Sequence, residues 1–136
     1  MFFHQWHLEP PALSVIIEDD DRVAYAYLFR SNTIVSDVWL YNVREAPATA
    51  EWTSPDEMPF LNPADLSLDK GIYRCLDDPL RVRLEPLDSG HGTGVRLYID
   101  NTLHAVLAEG AKPGWCRLAV RDGPLAKRIE DAPEPA

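Results

Sequence analysis

Four histidines, two cysteines and 22 carboxylates are the groups in this 136-residue chain that could carry chemistry. His4 and His7 lie three apart with Trp6 between them. Two histidines can begin a metal site, but a structural zinc takes four ligands and a catalytic one usually three. No cysteine or carboxylate cluster nearby completes the set, so a frayed terminus is the expectation. Asp19-Asp20-Asp21 offers oxygen ligands. A calcium loop spreads such ligands over about a dozen residues around a central glycine, and that spacing is absent, so the triplet reads as a solvated turn. Cys75 and Cys116 do not make a disulfide framework. Cys116 falls inside an apolar run and reads as a small core residue.

Gly90-His91-Gly92-Thr93 resembles, over four residues, the glycine-flanked catalytic histidine of the subtilisin-like serine proteases. The resemblance implies a proton-shuttling His91 on a parallel-sheet hydrolase. The chain supplies no glycine-flanked nucleophilic serine and is too short for that fold. The stretch is therefore expected to be a glycine-rich hairpin loop. It does not precede a helix or end in Gly-Lys-Ser/Thr, so it does not read as a phosphate cradle. Paired carboxylates meet in space rather than in sequence, and nothing in the sequence selects a pair. The expectation is no catalytic residue, no metal and no cofactor.

One face stands out as a candidate binding surface. If residues 80–120 form alternating strands, their outer side presents Arg81, Arg83, Arg96, Tyr98 and His104, joined by Arg117 if the last strand is in phase. Arginine and tyrosine are enriched at binding hot spots. The plainer alternative is a wet sheet face with cross-strand pairing to Glu85 and Asp100.

The elements that must position these residues are strands. Leu13–Glu18, Arg22–Arg30 and Ile34–Asn42 are rich in β-branched and aromatic residues and are separated by short polar turns. A three-residue first loop sets Leu13, Val15 and Ile17 opposite Tyr27, Tyr25 and Val23. The next pairing sets Tyr25 opposite Trp39 and Phe29 opposite Val35. The middle strand is also apolar through Ala24, Ala26 and Leu28, as a strand covered on both sides would be. A second meander follows: Leu80–Glu85, Val95–Asp100, Leu103–Glu109 and Trp115–Val120. Here a three-residue loop at Asp100–Thr102 pairs Val95 with Leu107, Leu97 with Ala105 and Ile99 with Leu103, and places Tyr98 opposite His104 on the outer face. Between the meanders, residues 43–79 form a long proline-rich connection with room for a short helix near Pro55–Met58 or Pro63–Leu66 and a short strand over Lys70–Leu76. Leu125–Glu130 is short and amphipathic, room for one helical turn.

The expected architecture is one mainly-β domain over residues 1–136, with residues 1–11 a flexible leader and 131–136 a flexible tail. It is an antiparallel β-sandwich or small β-barrel of seven to eight strands in two meanders, with at most one or two short helices. Thirteen basic and 22 acidic side chains give a net charge of −9. Such a surface repels a phosphate backbone, so nucleic acid is not an expected partner. The longest apolar run is too short to span a bilayer, and no stretch has the signature of a signal peptide. Cytoplasmic placement with reduced thiols is the default. The charge is uneven: residues 1–79 carry −9 and residues 80–128 carry +3.

The functional expectation is a non-enzymatic protein-interaction module, binding another protein or itself as a homo-oligomer. The basic and aromatic sheet face would meet an acidic partner, or the acidic half would cap a basic one as an inhibitor or immunity-type protein does. The alternative is a small-molecule-binding barrel lined by Tyr25, Tyr27, Trp39 and Tyr41, with the proline-rich connection as its lid. A hydrolase ranks behind both.

Overall fold

The computed structural model describes residues 2–8, 13–43, 74–89, 92–119, 122–123 and 125–133. Their strands form two open sheets rather than a closed barrel. The first holds β1 (Phe2–Leu8), β2 (Leu13–Asp19), β3 (Val23–Arg30) and β4 (Thr33–Asn42), in that order. The second holds β5 (Val82–Ser89), β6 (Gly92–Ile99), β7 (Thr102–Ala108), β8 (Trp115–Cys116) and β9 (Lys127–Arg128). Every pairing is antiparallel except β8 with β9. This is the β-sandwich of the two architectures expected. The helix candidates between residues 55 and 66 lie outside the described residues, as do residues 70–73; residues 74–76 are not strand. Short 3₁₀ turns occur at Pro79–Arg81 and Ile129–Asp131.

The stretch read as a leader holds β1. Phe2, His4, Trp6 and Leu8 sit on one side of it, opposite Asp19, Ile17, Val15 and Leu13 of β2. His4 in this row and Phe3 on the other side mask the alternation when the strand is read for hydrophobicity alone. The last strand of the second meander is shorter than expected: β8 stops at Cys116 and the chain turns.

The first hairpin is paired differently from the expectation. Val15 faces Leu28 and Ile17 faces Ala26, so β3 turns Ala24, Ala26 and Leu28 toward the core. The reason is a tighter turn. Asp20 N–H donates to Val23 O across a two-residue loop, and the Asp20 carboxylate accepts from the Arg22 and Val23 N–H groups. Asp21 supplies a positive φ of 70°. With two apolar faces on β3, the hydrophobic pattern could not choose between the registers, and the turn chose. Asp19 is not solvated as expected: it is 1% exposed and accepts from Tyr41 Oη at 2.7 Å.

The β3–β4 and β6–β7 hairpins share one device. Ser31-Asn32 and Asp100-Asn101 all have positive φ, between 50° and 66°, which defines tight two-residue turns matched to strand twist. Each is followed by a β-bulge. In the first sheet Tyr25 faces Trp39 as expected, but Phe29 faces Ile34, because Val35 is an extra residue. A second bulge leaves Leu40 unopposed between Trp39 and Tyr41. In the second sheet Val95–Leu107 and Leu97–Ala105 pair as expected, while Tyr98 faces Leu103 and Ile99 faces Thr102. His104 is the extra residue there. A bulge bends a strand and re-aims a side chain, and each of these ties the two sheets together.

Val35 O accepts the Gly110 N–H at 2.9 Å. Leu40 O accepts twice from the second sheet, from His104 Nε2 at 2.8 Å and from the Cys116 thiol at 3.4 Å. The free edge of β4 is covered in the same way. Asp37 O accepts from Gly114 N, and Trp39 N donates to Leu125 O. Between the sheets lies one apolar core, to which Ile17, Leu28, Tyr41, Leu97, Ile99 and Leu107 contribute the largest fully buried side chains.

Candidate binding face on the second sheet

The outer side of the second sheet follows from its ladder. Arg83 faces Tyr98, which faces Leu103; Glu85 faces Arg96, which faces Val106, which faces Trp115. The Arg83 guanidinium carbon sits 3.9 Å from the Tyr98 ring centre, and that of Arg96 sits 5.9 Å from it. Two cations on one phenol ring lie within reach of its negative face. Glu85 approaches Arg83 at 3.4 Å. Arg83, Arg96 and Tyr98 thus come together as the sequence implied.

The other three residues do not join them. Arg81 turns to its own surroundings. It pairs with Asp100 at 2.9 Å and Asp77 at 3.1 Å, and donates to Cys75 O at 2.6 Å. Hydrogen bonding from Arg81 holds the Asp100 carboxyl below the usual carboxylate range. Arg81 is a clip that fastens residues 74–77 to the start of β5. His104 is a correction of a different kind. The bulge carries it off the outer face into the core, where it is 0% exposed. A carbonyl can only accept, so Nε2 bears the proton that Leu40 O receives. Burial pushes the His104 pKa down to about 4, partly offset by the Leu40 contact, so the ring is neutral. Arg117 is half-buried beyond β8, with its backbone N–H on His104 O at 2.7 Å.

The C-terminal segment adds what strand counting could not supply. Lys127 Nζ lies 4.6 Å from the Trp115 ring centre, and the turn at Ile129–Asp131 crosses the outer face. Val106, on that face, is 1% exposed. Between the segment and β6–β7 lies an open cleft of about 460 Å³ lined by Arg96, Leu103, Val106, Ile129, Glu130 and Pro133. Its charged groups are Arg96 and Glu130, and Glu130 approaches Arg128 at 3.4 Å. Arg96 Nε is buried and has no hydrogen-bond partner among the described residues. A guanidinium presents five donors in a fork that suits a carboxylate. The cleft therefore offers one donor set beside an apolar floor.

Sequence reasoning also missed Leu80, which is 90% exposed on the 3₁₀ turn leading into β5. An isolated exposed leucine is ordinary, and it read as the first core residue of its strand because it shares the alternation of Val82 and Leu84.

The aromatic residues expected to line a barrel do not share an interior. Tyr25, Tyr27 and Trp39 lie on the outer side of the first sheet, while Tyr41 lies in the core with its ring edge-on to His104. Burial raises the Tyr25 pKa above its ordinary value and that of Tyr27 to about 12. Cys75 is exposed, and Cys116 is buried with its thiol pushed up to about 12 by desolvation. A buried thiol shifted in this direction is not a poised nucleophile. His91 lies outside the described residues. No group of three or more potential metal-ligating side chains occurs among the described residues. No helix among them is long and apolar enough to cross a membrane.

No family model, curated protein or solved structure matches the chain.

Proposed function

We propose that this protein is a non-enzymatic interaction module that binds an acidic segment of another protein on the outer face of its second sheet. One observation carries the reading: Arg83 and Arg96 flank Tyr98, and Arg96 adjoins a cleft while its Nε lacks a partner among the described residues. Arg96 lines the cleft, and the terminal nitrogens of its guanidinium would receive a carboxylate there. Tyr98 and Leu103, both partly exposed, supply apolar surface for the same ligand. The local excess of positive charge in residues 80–128 would speed the encounter. The acidic surface elsewhere would repel misplaced copies of such a ligand.

The test is an NMR titration with a short peptide of glutamates around one aromatic residue. The expected result is shifts at the Arg83 and Arg96 side chains and at Leu103, Val106 and Ile129. Changing Arg83→Glu and Arg96→Glu together should weaken binding at least about tenfold, as reversing two charges in contact with a carboxylate implies. Unchanged affinity in a folded double variant, or shifts confined to other surfaces, would overturn the reading.

A further inference from the structure

We infer that β1 is a dimerisation edge, on which a second copy of this chain adds its own β1 antiparallel about a two-fold axis through Gln5. Strand edges invite pairing, and proteins blunt them with lysine, proline, bulges, short strands or covering segments. Three edges of this sandwich are blunted. β4 is covered through Gly110, Gly114 and Leu125. β5 carries Pro86 together with Arg83 and Glu85. β9 is two residues long. β1 is the exception: seven regular residues with no proline, lysine, carboxylate or bulge. No other strand pairs with its outer edge among the described residues, and Phe3 on it is 63% exposed.

The sequence of the strand argues for a second copy as the occupant. Only an axis through Gln5 pairs all seven residues of Phe2–Leu8 with their counterparts. Phe2 then meets Leu8 of the other copy, His4 meets Trp6, Phe3 meets His7, and Gln5 meets itself. Both sides of the pair match in kind. The inward row of Phe2, His4, Trp6 and Leu8 continues across the axis, covering Trp6 and Leu8, which are half-buried in the single copy. The two first sheets would merge into one of eight strands. Such an isologous contact is the commonest way in which soluble chains pair. This inference is independent of the acidic-ligand reading, since β1 and the Arg83–Tyr98–Arg96 cluster lie on different sheets.

Gln5 is exposed, so a charge there is compatible with the monomer fold. At the axis, however, Gln5→Lys sets two ammonium groups directly opposite each other, and Gln5→Glu sets two carboxylates. Light scattering coupled to size exclusion reads the result. The native chain is expected at twice its 15.3-kDa mass. Each single variant should dissociate about tenfold more readily. An equimolar mixture of the two variants should recover the dimer, because lysine then meets glutamate. Recovery on mixing cannot come from a variant that has merely lost its fold. A native chain that stays monomeric at high concentration overturns the inference. So do variants that dimerise as well as the native chain, or a mixture that stays apart.

Discussion

Replacing His104 with glutamine should flatten part of the stability profile below neutral pH. The histidine pKa is lowered from 6.5 to about 4 by burial, so the unfolded chain takes up a proton that the folded chain refuses. Stability from the neutral ring is therefore complete above pH 6.5 and is lost as the pH falls toward 4. The full loss is of order 3 kcal/mol. Urea unfolding of native and His104→Gln chains at pH 7 and pH 4.5 checks this: the native chain should lose more than the variant over that interval. At this scale the sequence was uneven in what it disclosed. Cys116 lies between Trp115 and the apolar Leu118–Val120, so its core position was plain. His104 was assigned to the wet side because alternation assumes one residue per step. One extra residue in β7 reverses the side of a single position, and nothing in side-chain type marks where that residue is inserted.

Elements were more legible than the side chains they carry. Tyr25 against Trp39, and Val95 and Leu97 against Leu107 and Ala105, follow from keeping apolar sets together. The β2–β3 register did not, because β3 is apolar on both faces and the choice fell to the Asp20 cap. β1 was hidden by its histidines. Within the second sheet, Gly94 marks a place where the strands allow no side chain. A β-carbon there would overlap Leu107 O and stand 2.9 Å from Ala108 Cα, both backbone atoms. Gly94→Ala should therefore cost about 2–3 kcal/mol, as overpacking does, and should broaden the amide signals of β6 and β7 before those of β2 and β3. Equal stability of the alanine variant by thermal melting would mean that the strands separate more easily than their spacing implies.

For the molecule as a whole, polar ties join the two sheets at places the sequence could not indicate, since the partners are far apart in the chain. Arg30 at the end of β3 reaches Glu109 and donates to Thr93 Oγ1 at 2.8 Å in the second sheet. Arg30 is partly exposed, so Arg30→Met should cost only about 0.5–1 kcal/mol, and less in molar salt. Denaturant midpoints at low and high salt check both parts. The candidate site was legible only in part. Arg83, Arg96 and Tyr98 came from strand alternation, but the cleft beside them depends on the C-terminal turn crossing the sheet, which depends on tertiary packing.

The unopposed Leu40 has a consequence for how this chain can change in length. Loops commonly gain and lose residues at little thermodynamic cost. A single deletion at Leu40 would give β4 a more regular ladder with β3, yet withdraw the carbonyl that receives both His104 and Cys116. Tyr41 and Asn42 would keep Ala24 and Val23 as their partners, so the loss would fall on the tie between the sheets and not on the β3–β4 pairing. The deleted chain should keep its strand signature in far-ultraviolet circular dichroism while losing the sharp thermal transition of docked sheets. Among descendants of this sequence, length variation is expected in the turns and not within β4.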